Sequence, residues 1–477
     1  MTVNEHRVRV PDLVERLPER EKEISRRLTS TFAEQGQEIY LVGGVVRDLL
    51  LNRGRADVDL ATSAEPQMTK KLGEDAGANA VYTVGEAYGT IGLVFRQDGQ
   101  PDLIVEITTY RSEVYPTTDR RPEVKHGVSL LEDLSRRDFT INAIALQAET
   151  GELIDPFGGI NDLERRELNA VGDATQRFNE DPLRVLRAAR FAAELDFEIG
   201  EPTLAAMRAT GVQIERVSRE RIAAELNRLL VAPAAERGLQ ALEATNLIRH
   251  ILPELLSMVE DDRDGGAFRH KDIWTHTLRV VDQSPRRLAV RWAALLHDAA
   301  KPATRSVDES GEVHFFGHEM AGAHLARKLL RRLKQERALE QRVSRLVAMH
   351  LRPSGYDEDW TDSAVRRLAL EAGDAFEDLL DLAAADVTSA RAHRQAAAAR
   401  RVAGLRAHHE RLENEHALDQ LQSPLDGHAL MSMFDRPPGR WIAEIKDRLR
   451  EMVIDGDLDP NDTATATILA TQWMDEH

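Results

Sequence analysis

The hydrophobic pattern of the chain changes near residue 160, and this change constrains the fold more than any other feature. Before it, residues 38–62 predict a strand, a glycine turn, a short helix and a second strand. Two further strands, 90–96 and 103–109, flank the turn sequence QDGQP as a hairpin. After it, apolar residues recur at helical spacing. The clearest such segments are 182–195, 219–230, 234–245 and a long helix at about 386–420. The sequence therefore predicts an α+β protein with a small mixed sheet first and helices afterwards.

The bulk composition limits the class of protein. A chain of 477 residues exceeds what one hydrophobic core usually supports, so we expect two or more globular parts. No apolar run approaches the length of a membrane span, and the amino terminus lacks the apolar core of a signal peptide. With no cysteine, any metal must bind Asp, Glu or His, and a reducing cytoplasm is the expected location.

The net charge of −18 argues against a protein that coats nucleic acid without specificity. It still allows a local basic surface, because arginines are clustered in several short segments. These segments are 136–137, 184–190, 216–221 and 326–332.

Asp57 and Asp59 are the strongest candidates for catalysis. They are two residues apart in a predicted strand, so both side chains should project from the same face. Magnesium accepts one or two carboxylates together with substrate phosphates. The pair therefore predicts a two-Mg²⁺ site for phosphoryl transfer, in which one ion activates a 3′ hydroxyl and the other stabilises the leaving pyrophosphate.

Gly43 and Gly44 lie between the first strand and the helix that follows it. Without side chains there, backbone N–H groups can approach a triphosphate, and Arg47 follows one helical turn later. A tight turn with no ligand would produce the same two glycines.

At this point the sequence resembles the class II tRNA nucleotidyltransferases, the CCA-adding enzymes of the polymerase-β-like superfamily. The resemblance begins with LVGGVVRDLLLNRGRADVDLAT at 41–62 and continues, in the family's order, through four further blocks. These are VEITTYR at 105–111, DRRP at 119–122, RRDFTINAIA at 136–145 and DPFGG at 155–159.

The resemblance implies a role for each matching residue. Asp57 and Asp59 would be the catalytic metal ligands, with Mg²⁺ as cofactor. Glu106 is a candidate third carboxylate near the metals, and Asp138 and Asn142 could be functional or could cap a turn between strand and helix. The implied nucleotide contacts are Gly44, Arg47, Arg137, Asp138, Asp181, Arg184, Arg187 and Arg190.

Base choice follows from the chemistry of one residue pair. Cytosine and adenine each present an amino donor beside a ring-nitrogen acceptor, whereas uracil and guanine present a carbonyl beside a ring N–H. Asp181 can accept from the amino group while Arg184 donates to the ring nitrogen, at three-residue spacing on a helix that Pro182 can initiate. The resemblance assigns this pair the same role. A solvated basic helix face would show the same spacing of charges.

Histidines concentrate after the acidic stretch EDDRDGG at 260–266, which reads as a linker. Imidazole and carboxylate suit a divalent transition metal, and the pattern resembles the HD phosphohydrolases. His276, His297, Asp298 and Asp386 would be the ligands of this second metal, and Lys301, His318 and His350 add to the likeness. Ala300 replaces the usual glycine, so a degenerate domain kept for tRNA binding would also fit.

These observations predict four parts: a polymerase-β-like nucleotidyltransferase head (1–165), a helical neck that recognises the nucleotide (166–258), an HD-type helical domain (259–400) and a helical tail that binds tRNA (401–477). Within the neck, Arg219, Glu220 and Arg221 of the segment 218–226 are expected to form ion pairs that brace the helix at 182–195. The expected partners are tRNA, CTP and ATP, with no membrane. The sequence leaves the oligomeric state open.

The expected reaction is addition of CCA to the 3′ end of tRNA without a template. Poly(A) polymerase shares the head motifs, although VGDATQRFNEDPLR at 171–184 is typical of CCA-adding members. Three further functions are compatible with the motifs: an enzyme that adds only CC or only A, an HD phosphohydrolase with a nucleotide-sensing head, and a catalytically silent tRNA chaperone.

Overall fold

The computed structural model describes residues 7–10, 12–54, 57–84, 89–114, 123–126, 128–263, 273–357, 359–387, 392–414 and 422–476. The chain divides into two compact units, Met1–Pro253 and Glu254–His477. The expected DRRP block at 119–122 lies outside the described residues. No helix in the described ranges is long and apolar enough to span a bilayer.

The amino-terminal unit is built on a mixed sheet of eight strands, in the order β1-β10-β9-β2-β3-β6-β5-β4. Strands β3 and β6 pair in parallel, and their described neighbours pair antiparallel. Two smaller sheets join β7 to β8 and β11 to β12. The strands of this unit are β1 (Arg7–Arg9), β2 (Ile39–Val42), β3 (Val58–Thr62), β4 (Ala80–Val84), β5 (Thr90–Phe95), β6 (Leu103–Thr109), β7 (Arg111–Val114), β8 (Glu123–His126), β9 (Ala145–Gln147), β10 (Glu152–Ile154), β11 (Glu167–Leu168) and β12 (Glu198–Ile199).

Alternation of apolar residues forms the central strands. Val105 and Ile107 of β6 are fully buried, and Ile91 and Leu93 of β5 are buried opposite them. The predicted hairpin is therefore present, and it closes through the QDGQP turn. Its core face holds β6 in register beside β3, which carries Asp59.

Helices pack beside the strands of the amino-terminal unit, and most of its described residues after the sheet are also helical. The helices are α1 (Glu19–Glu34), α2 (Gly44–Leu50), α3 (Pro66–Asp75), α4 (Leu130–Ser135), α5 (Gly159–Arg165), α6 (Ala174–Glu180), α7 (Leu183–Leu195), α8 (Glu201–Thr210), α9 (Arg219–Leu230), α10 (Ala235–Ala244) and α11 (Ile248–Ile251). Short 3-10 turns are Val14–Arg16, Thr140–Asn142, Gly211–Arg216 and Pro253–Leu255.

Helix α7 is the centre of the helical part of this unit. Its apolar stripe, including Leu186 and Ala189, is fully buried where α7 packs against α9 and α10. Gly238 of α10 makes this close approach possible, since a Cβ there would lie 2.8 Å from the carbonyl oxygen of Ala189. Truncating Leu186 to alanine would remove buried packing worth about 2–5 kcal/mol.

The carboxy-terminal unit is helical apart from the strand pair β13 (Ser306–Val307) and β14 (Val313–His314). Its helices are α12 (Leu256–Arg263), α13 (Ile273–Gln283), α14 (Leu288–Leu296), α15 (Lys301–Thr304), α16 (His318–Arg332), α17 (Arg337–Met349), α18 (Asp362–Ala372), α19 (Phe376–Ala385), α20 (Ala392–Asn414), α21 (Gly427–Phe434), α22 (Arg440–Asp455) and α23 (Thr463–Glu476). Two 3-10 turns are Arg352–Gly355 and Gly373–Ala375.

Two packed regions organise this unit. Every residue of α14 after Leu288 is buried, and this helix packs against α13, α17 and α19. A separate core joins the last three helices around Leu430, Trp441 and Leu449. The first region holds the predicted histidine site.

Three predicted boundaries differ from the observed ones. The long helix predicted at about 386–420 is α20, which is described from Ala392 to Asn414. Asp386 belongs to the end of α19, where its N–H donates to the carbonyl of Leu382. The first four residues of the predicted linker at 260–266 continue helix α12, whose Met258 and Val259 are buried, and residues 264–266 lie outside the described part.

The third difference concerns Asp181, which lies before α7 and not on it. Its Oδ1 accepts a hydrogen bond from the backbone N–H of Leu183 at 3.1 Å. A side chain that accepts a hydrogen bond from a free N–H group at a helix start commonly belongs to a residue just before the helix.

Candidate functional site

A polar cavity of about 650 Å³ opens in the amino-terminal unit between the sheet and α7, and we call it the arginine-lined cavity. It gathers every predicted catalytic and nucleotide-binding residue, together with arginines from several elements. The predicted residues that line it are Gly44, Arg47, Asp57, Asp59, Arg137, Asp138, Asp181, Arg184, Arg187 and Arg190. Further arginines on its wall are Arg111, Arg136, Arg221 and Arg228. A protein of net charge −18 thus has more arginines than acidic residues in the lining of this cavity.

Carboxylates collect at one end of the cavity. Asp59 lies in β3, and Glu106 is its register partner in the parallel strand β6. Asp57 immediately precedes β3, so it is not inside the strand as expected, yet both aspartates line the same cavity beside Gly43 and Gly44. Burial, with the nearby charges of Glu106 and Asp57, raises the pKa of Asp59 to about 6. Such an uncompensated acidic group favours a bound cation.

The glycine turn allows a close approach by an arginine. Gly43 has φ +77°, a left-handed conformation that favours glycine, and a Cβ there would lie 3.0 Å from Nη1 of Arg137. Gly44 begins α2 and has φ outside that region. The turn therefore does more than reverse the chain, because it also makes room for a cationic side chain at the cavity wall.

Arg47 is held at the wall by two partners. It donates from Nε and Nη2 to the carboxylate of Asp48, at 2.9 and 3.1 Å, and from Nη1 to Oδ1 of Asn142 at 2.8 Å. Asn142 in turn donates from Nδ2 to Oδ1 of Asp138 at 3.1 Å. A chain of hydrogen bonds thus links α2 to the 3-10 turn Thr140–Asn142.

Asp138 is the buried anion of this network. Arg187 of α7 donates to its Oδ2 from Nε at 2.9 Å and from Nη2 at 2.5 Å. Burial alone would raise the pKa of Asp138, but the charge of Arg187 and the hydrogen bonds from Asn142 and Arg187 hold it at about 2. The carboxylate is therefore ionised at neutral pH and fixes Arg187 at the cavity.

Arg190 is buried and fully engaged. Its Nε donates to Glu225 of α9 and its Nη1 to Glu194, both at 2.5 Å. Its guanidinium also lies 3.9 Å from the ring centroid of Phe191. Only 2% of Arg190 is exposed, so it is not part of a solvated helix face.

The pair expected to read the base lies at the start of α7. Arg184 donates to the carbonyl oxygens of Arg177 and Arg136, at 3.1 and 2.9 Å, and to Glu180 at 3.1 Å. Asp181 pairs with Arg221 at 3.2 Å. The two side chains are thus held by neighbours while both line the cavity.

Sequence reasoning missed the carboxylates that hold these arginines. Glu225 braces Arg190, and Asp133, which is fully buried, pairs with both Arg136 and Arg137. Glu225 carried a signal, because an acidic residue lies there on the apolar face of a helix. This buried glutamate joins α9 to α7, and of the charged residues at the start of α9 Arg221 pairs with Asp181, just before α7.

The carboxy-terminal unit holds a second group, which we call the histidine cluster: His276, His297, Asp298, His318, His350 and Asp386. The four predicted metal ligands lie together within it. Nε2 of His276 is 3.0 Å from Oδ1 of Asp386 and 3.6 Å from Oδ2 of Asp298, and Nε2 of His297 is 3.3 Å from each of the same two oxygens. Nitrogen and oxygen donors that converge in this way fit a divalent transition metal.

Burial and neighbouring charges shift the pKa values of two histidines in the cluster. Burial would lower the pKa of His297, but Asp298 and Asp386 raise it to about 10. Burial and the charge of His297 lower the pKa of His350 to about 4. Lys301 donates to Oδ2 of Asp298 at 2.6 Å. Ala300 has φ −94°, so the position where the resemblance expects glycine does not require one.

Three protein-family models match successive segments of the chain. Residues 39–169 match the poly A polymerase head domain, residues 196–258 match the probable RNA and SrmB-binding site of polymerase A, and residues 273–391 match the HD domain. The first match contains the carboxylate end of the cavity, and the third contains the histidine cluster. The chain therefore contains segments that match a poly A polymerase head domain and an HD domain.

Individual proteins are similar to this chain in sequence or in fold. The chain is 41% identical over 266 residues to the CCA-adding enzyme of Streptococcus thermophilus, a match that covers 54% of this chain and 63% of the relative. The crystal structure of the Bacillus stearothermophilus CCA-adding enzyme in complex with CTP is 26% identical, with a TM-score of 0.67, and the match covers 94% of this chain and 98% of that one.

A third relative supports the fold alone. The Thermotoga maritima CCA-adding enzyme complexed with tRNA is 19% identical, with a TM-score of 0.60 over 98% of this chain and 99% of its own. The curated relatives are matched over part of their length: the match spans 63% of the S. thermophilus enzyme and 50% of a Streptococcus pyogenes one.

Proposed function

We propose that this protein adds CCA to the 3′ end of tRNA from CTP and ATP, without a template. One observation carries the proposal: Asp57 and Asp59 open into the same cavity as the glycine turn and the arginines of α7. Carboxylates that attract cations thus lie beside cationic groups that attract phosphates, as nucleotidyl transfer requires. The named activities of the related enzymes support the same reaction.

We further propose that Asp57 and Asp59 hold Mg²⁺, with Glu106 beside them. The fit rests on the two aspartates that line the same cavity with Glu106 beside Asp59 in the sheet, and burial together with the charge of Glu106 raises the pKa of Asp59 to about 6. When bound, Mg²⁺ would supply Lewis-acid activation of the 3′ hydroxyl and of the transferred phosphate. Asp57 lies outside the strand, so its side chain is exposed to an incoming triphosphate, while Asp59 is anchored in the sheet.

The arginines would orient the nucleotide. Arg47, Arg137 and Arg187 line the cavity, and each has a carboxylate partner that holds its guanidinium in place. Their remaining N–H groups can donate to phosphate or ribose oxygens, and the backbone at Gly44 can approach the same groups. Arg190 would act indirectly. Its ion pair with Glu225 joins α7 to α9 and so keeps the base-reading end of α7 in position.

The side chains of Asp181 and Arg184 would select the base by binding its hydrogen-bonding edge. The carboxylate accepts from the exocyclic amino group of cytosine or adenine, and the guanidinium donates to the adjacent ring nitrogen. Uracil and guanine would place a carbonyl and a ring N–H against these groups. Contacts from Arg221 and Glu180 support the pair, since they restrict the side chains before a nucleotide arrives.

The remaining assignments keep the four-part division: head (1–165), neck (166–258), HD-type domain (259–400) and tRNA-binding tail (401–477). The family matches at 39–169, 196–258 and 273–391 support it, since each falls within one part apart from four residues at 166–169. We place the protein in the cytoplasm, where its substrates are and where a chain without cysteine needs no oxidising compartment.

The proposal is tested with three tRNAs that end before CCA, after the first C, and after CC. Each is incubated with CTP, ATP or both, and the 3′ ends are sequenced. We expect two C residues with CTP on the first tRNA, complete CCA with both nucleotides, and a single A on the third with ATP. Failure to extend any of the three would refute nucleotidyl transfer.

The same assay separates the competing reactions. A poly(A) polymerase would add many A residues with ATP alone, and specialised enzymes would stop at CC or add only the final A. A silent tRNA chaperone would bind the tRNAs without extending them. Each of these patterns would replace the proposed reaction by the corresponding one.

A second candidate function, phosphate-ester hydrolysis, is favoured by the histidine cluster. We propose that His276, His297, Asp298 and Asp386 hold a divalent transition metal there, because their donor atoms already converge. The test measures phosphate release from p-nitrophenyl phosphate and, separately, ring opening of a 2′,3′-cyclic nucleotide to the nucleoside monophosphate, with Ni²⁺ or Mn²⁺ added; both reactions are hydrolyses of a phosphate ester. His297→Gln should abolish the release, and His324→Gln, which changes an exposed histidine on α16, should not.

A further inference from the structure

Helix α4 buries an acidic residue on its apolar face. Leu130, Asp133 and Leu134 lie about one helical turn apart, and all three are buried, Asp133 completely. An ionised carboxylate in the interior is costly unless charged or hydrogen-bonding partners compensate it. Asp133 is not among the residues that line the arginine-lined cavity, so direct contact with a nucleotide or a metal does not explain its burial.

The described partners of Asp133 are residues of the cavity wall. Its Oδ1 accepts hydrogen bonds from Nε and Nη2 of Arg136, at 3.1 and 3.0 Å, and from the backbone N–H of Arg111 at 3.4 Å. Its Oδ2 accepts from Nη2 of Arg137 at 3.3 Å. Burial would raise the pKa of Asp133, but the charges of Arg137 and Arg136 hold it below its ordinary value. The carboxylate is therefore ionised at neutral pH and holds two guanidinium groups at once.

Arg137 lies between this buried anion and the carboxylate end of the cavity. Its Nη1 donates to the carbonyl of Asn142 at 3.4 Å and is 3.0 Å from the position that a Cβ at Gly43 would take. Burial raises the pKa of Asp59, and the charge of Arg137 lowers it, so the two groups interact. Within the described part of the chain, however, the partners of Arg137 are Asp133 and Asn142, and Asp59 is not one of them.

Two carboxylates thus compete for one guanidinium group. A guanidinium paired with Asp59 would neutralise the charge that attracts a metal cation, and it would no longer be directed at a phosphate. Asp133 offers Arg137 a partner that is fixed in the core instead. Nε of Arg137 has no hydrogen-bond partner in the described structure, so the pair with Asp133 leaves a donor unused beside the cavity.

We propose that Asp133 is a positioning residue that holds Arg137 away from Asp59. Arg137 then remains available to the triphosphate, and Asp59 remains available to the cation. The inference rests on the proposed nucleotidyl transfer and its Mg²⁺ ligands, and it adds to them the residue that keeps the anionic and cationic groups of the cavity apart. Asp133 acts through Arg137 and not by contact with the substrate.

The first measurement is the Mg²⁺ dependence of single-turnover C addition by Asp133→Asn. This substitution keeps the shape of the side chain but removes its charge, so Arg137 should pair with Asp59. A close opposite charge lowers the cation affinity of a carboxylate by a factor on the order of ten, and we expect the half-saturating Mg²⁺ concentration to rise by this factor. A loss of folded protein alone would lower the rate equally at every Mg²⁺ concentration.

The two levels of the account fail differently in this measurement. If Asp133→Asn has the half-saturating Mg²⁺ concentration of the parent protein, the positioning role is wrong and the proposed reaction is unaffected. If the parent protein adds no C at any Mg²⁺ concentration, the proposed reaction is wrong, and the inference that rests on it is wrong as well.

Binding of Mn²⁺ to the full-length chain, without nucleotide or tRNA, gives a readout that does not depend on activity. Free Mn²⁺ is measured by electron paramagnetic resonance, and binding that persists in Asp57→Asn/Asp59→Asn is subtracted because it comes from elsewhere in the chain. Asp133→Asn should weaken the remaining binding by a similar factor. Equal binding by Asp133→Asn and the parent would contradict the inference. A parent protein with no binding after subtraction would overturn the metal site and the inference together.

Two further variants separate the competition from a general disturbance of the fold. Asp133→Asn/Arg137→Gln removes the competing charge, so the half-saturating Mg²⁺ concentration should return close to that of the parent, while KM for CTP stays raised. A double variant that needs as much Mg²⁺ as Asp133→Asn would rule out competition by Arg137. Asp162→Asn is the matched control, since this buried carboxylate bonds Thr140 and Asn169 and no arginine, and it should leave the Mg²⁺ dependence unchanged.

A charge-balanced variant keeps the inference testable if Asp133→Asn does not fold. Asp133→Asn/Arg136→Gln removes one charge of each sign and leaves Arg137 without its buried partner. It should show the same rise in half-saturating Mg²⁺ concentration. A folded Asp133→Asn/Arg136→Gln protein with the Mg²⁺ dependence of the parent would refute the positioning role of Asp133.

Discussion

The arginine-lined cavity and the histidine cluster both bring charged groups together, but they balance charge differently. In the cavity, Arg187 has the buried carboxylate of Asp138 and Arg190 has that of Glu225. In the cluster, an aspartate oxygen and two imidazole nitrogens are buried without partners in the described structure. The comparison teaches that the cavity wall is paired within itself and should keep its shape without ligands, whereas the described part of the cluster contains buried acceptor atoms that no side chain satisfies.

The largest stability effect is expected when the cavity network loses its central anion. Asp138→Asn leaves Arg187 without its charged partner, with Glu225 next nearest at 3.8 Å. Removing one partner of a buried ion pair typically costs about 3 kcal/mol. Chemical denaturation followed by circular dichroism should show this loss with or without added metal. A loss below about 1 kcal/mol would show that the wall does not depend on the pair.

The stabilisation by the Asp138 carboxylate should depend on pH, and the same variant can be used to measure this dependence. The pKa of Asp138 is about 2 in the folded protein, below its unfolded value of about 3.9. The stabilisation is therefore fully present above pH 4 and is lost as the pH falls toward 2. The difference in unfolding free energy between wild type and Asp138→Asn should shrink over this window by about 2 kcal/mol. A difference independent of pH would contradict the ionised carboxylate.

A smaller effect is expected on base choice. Arg184→Ala removes the donor for the ring nitrogen, so the preference for CTP over UTP should fall by about 1–3 kcal/mol, or roughly 5- to 150-fold. The ratio of the two incorporation efficiencies measures it. Arg208→Ala, at an exposed ion pair with Glu201, is the matched control and should keep the ratio. An unchanged ratio in Arg184→Ala would refute base reading by this pair.

Gly43→Ala tests the backbone of the turn. The left-handed conformation disfavours a Cβ by about 1–2 kcal/mol, and that Cβ would also press on Arg137. We expect a stability loss of this size together with weaker binding of CTP. Gly54→Ala is the control, because a Cβ there meets nothing within 4 Å. Equal stability of the two variants would show that the turn is not constrained.

The smallest effect should come from an exposed pair in the turn between β5 and β6. Arg96 and Asp102 are 3.5 Å apart at the surface, and Asp102→Asn should change stability by less than about 0.5 kcal/mol. This variant sets the scale for the buried Asp138, since both substitutions remove one carboxylate charge. A loss comparable to that of Asp138→Asn would remove the distinction between buried and exposed pairs.

Much of the frame is predictable because it depends on local pattern. The alternating run at 103–109 forms β6, and the glycine turn before α2 lies at the cavity as expected. The four predicted metal ligands of the histidine cluster also lie together, although they span residues 276–386. This long-range arrangement was predictable from the resemblance to the HD phosphohydrolases and not from local pattern.

The partners of the arginines were not predictable, since each lies far along the chain. Arg187 pairs with Asp138, 49 residues away, and Arg190 with Glu225, 35 residues away. Periodicity identifies a helix face but not what packs against it. For the same reason, the spacing of charges on α7 is compatible with a solvated basic face, whereas the structure has a buried network.

The most direct measurement compares single-turnover addition of C to a tRNA lacking CCA by Asp59→Asn and by the exposed control Asp102→Asn. With CTP and Mg²⁺, Asp59→Asn should slow addition on the order of a thousandfold while tRNA binding is retained, because a cation ligand is lost but the arginine wall remains. Asp102→Asn should add C at the wild-type rate. Addition by Asp59→Asn within about tenfold of wild type would contradict a catalytic centre built on these carboxylates.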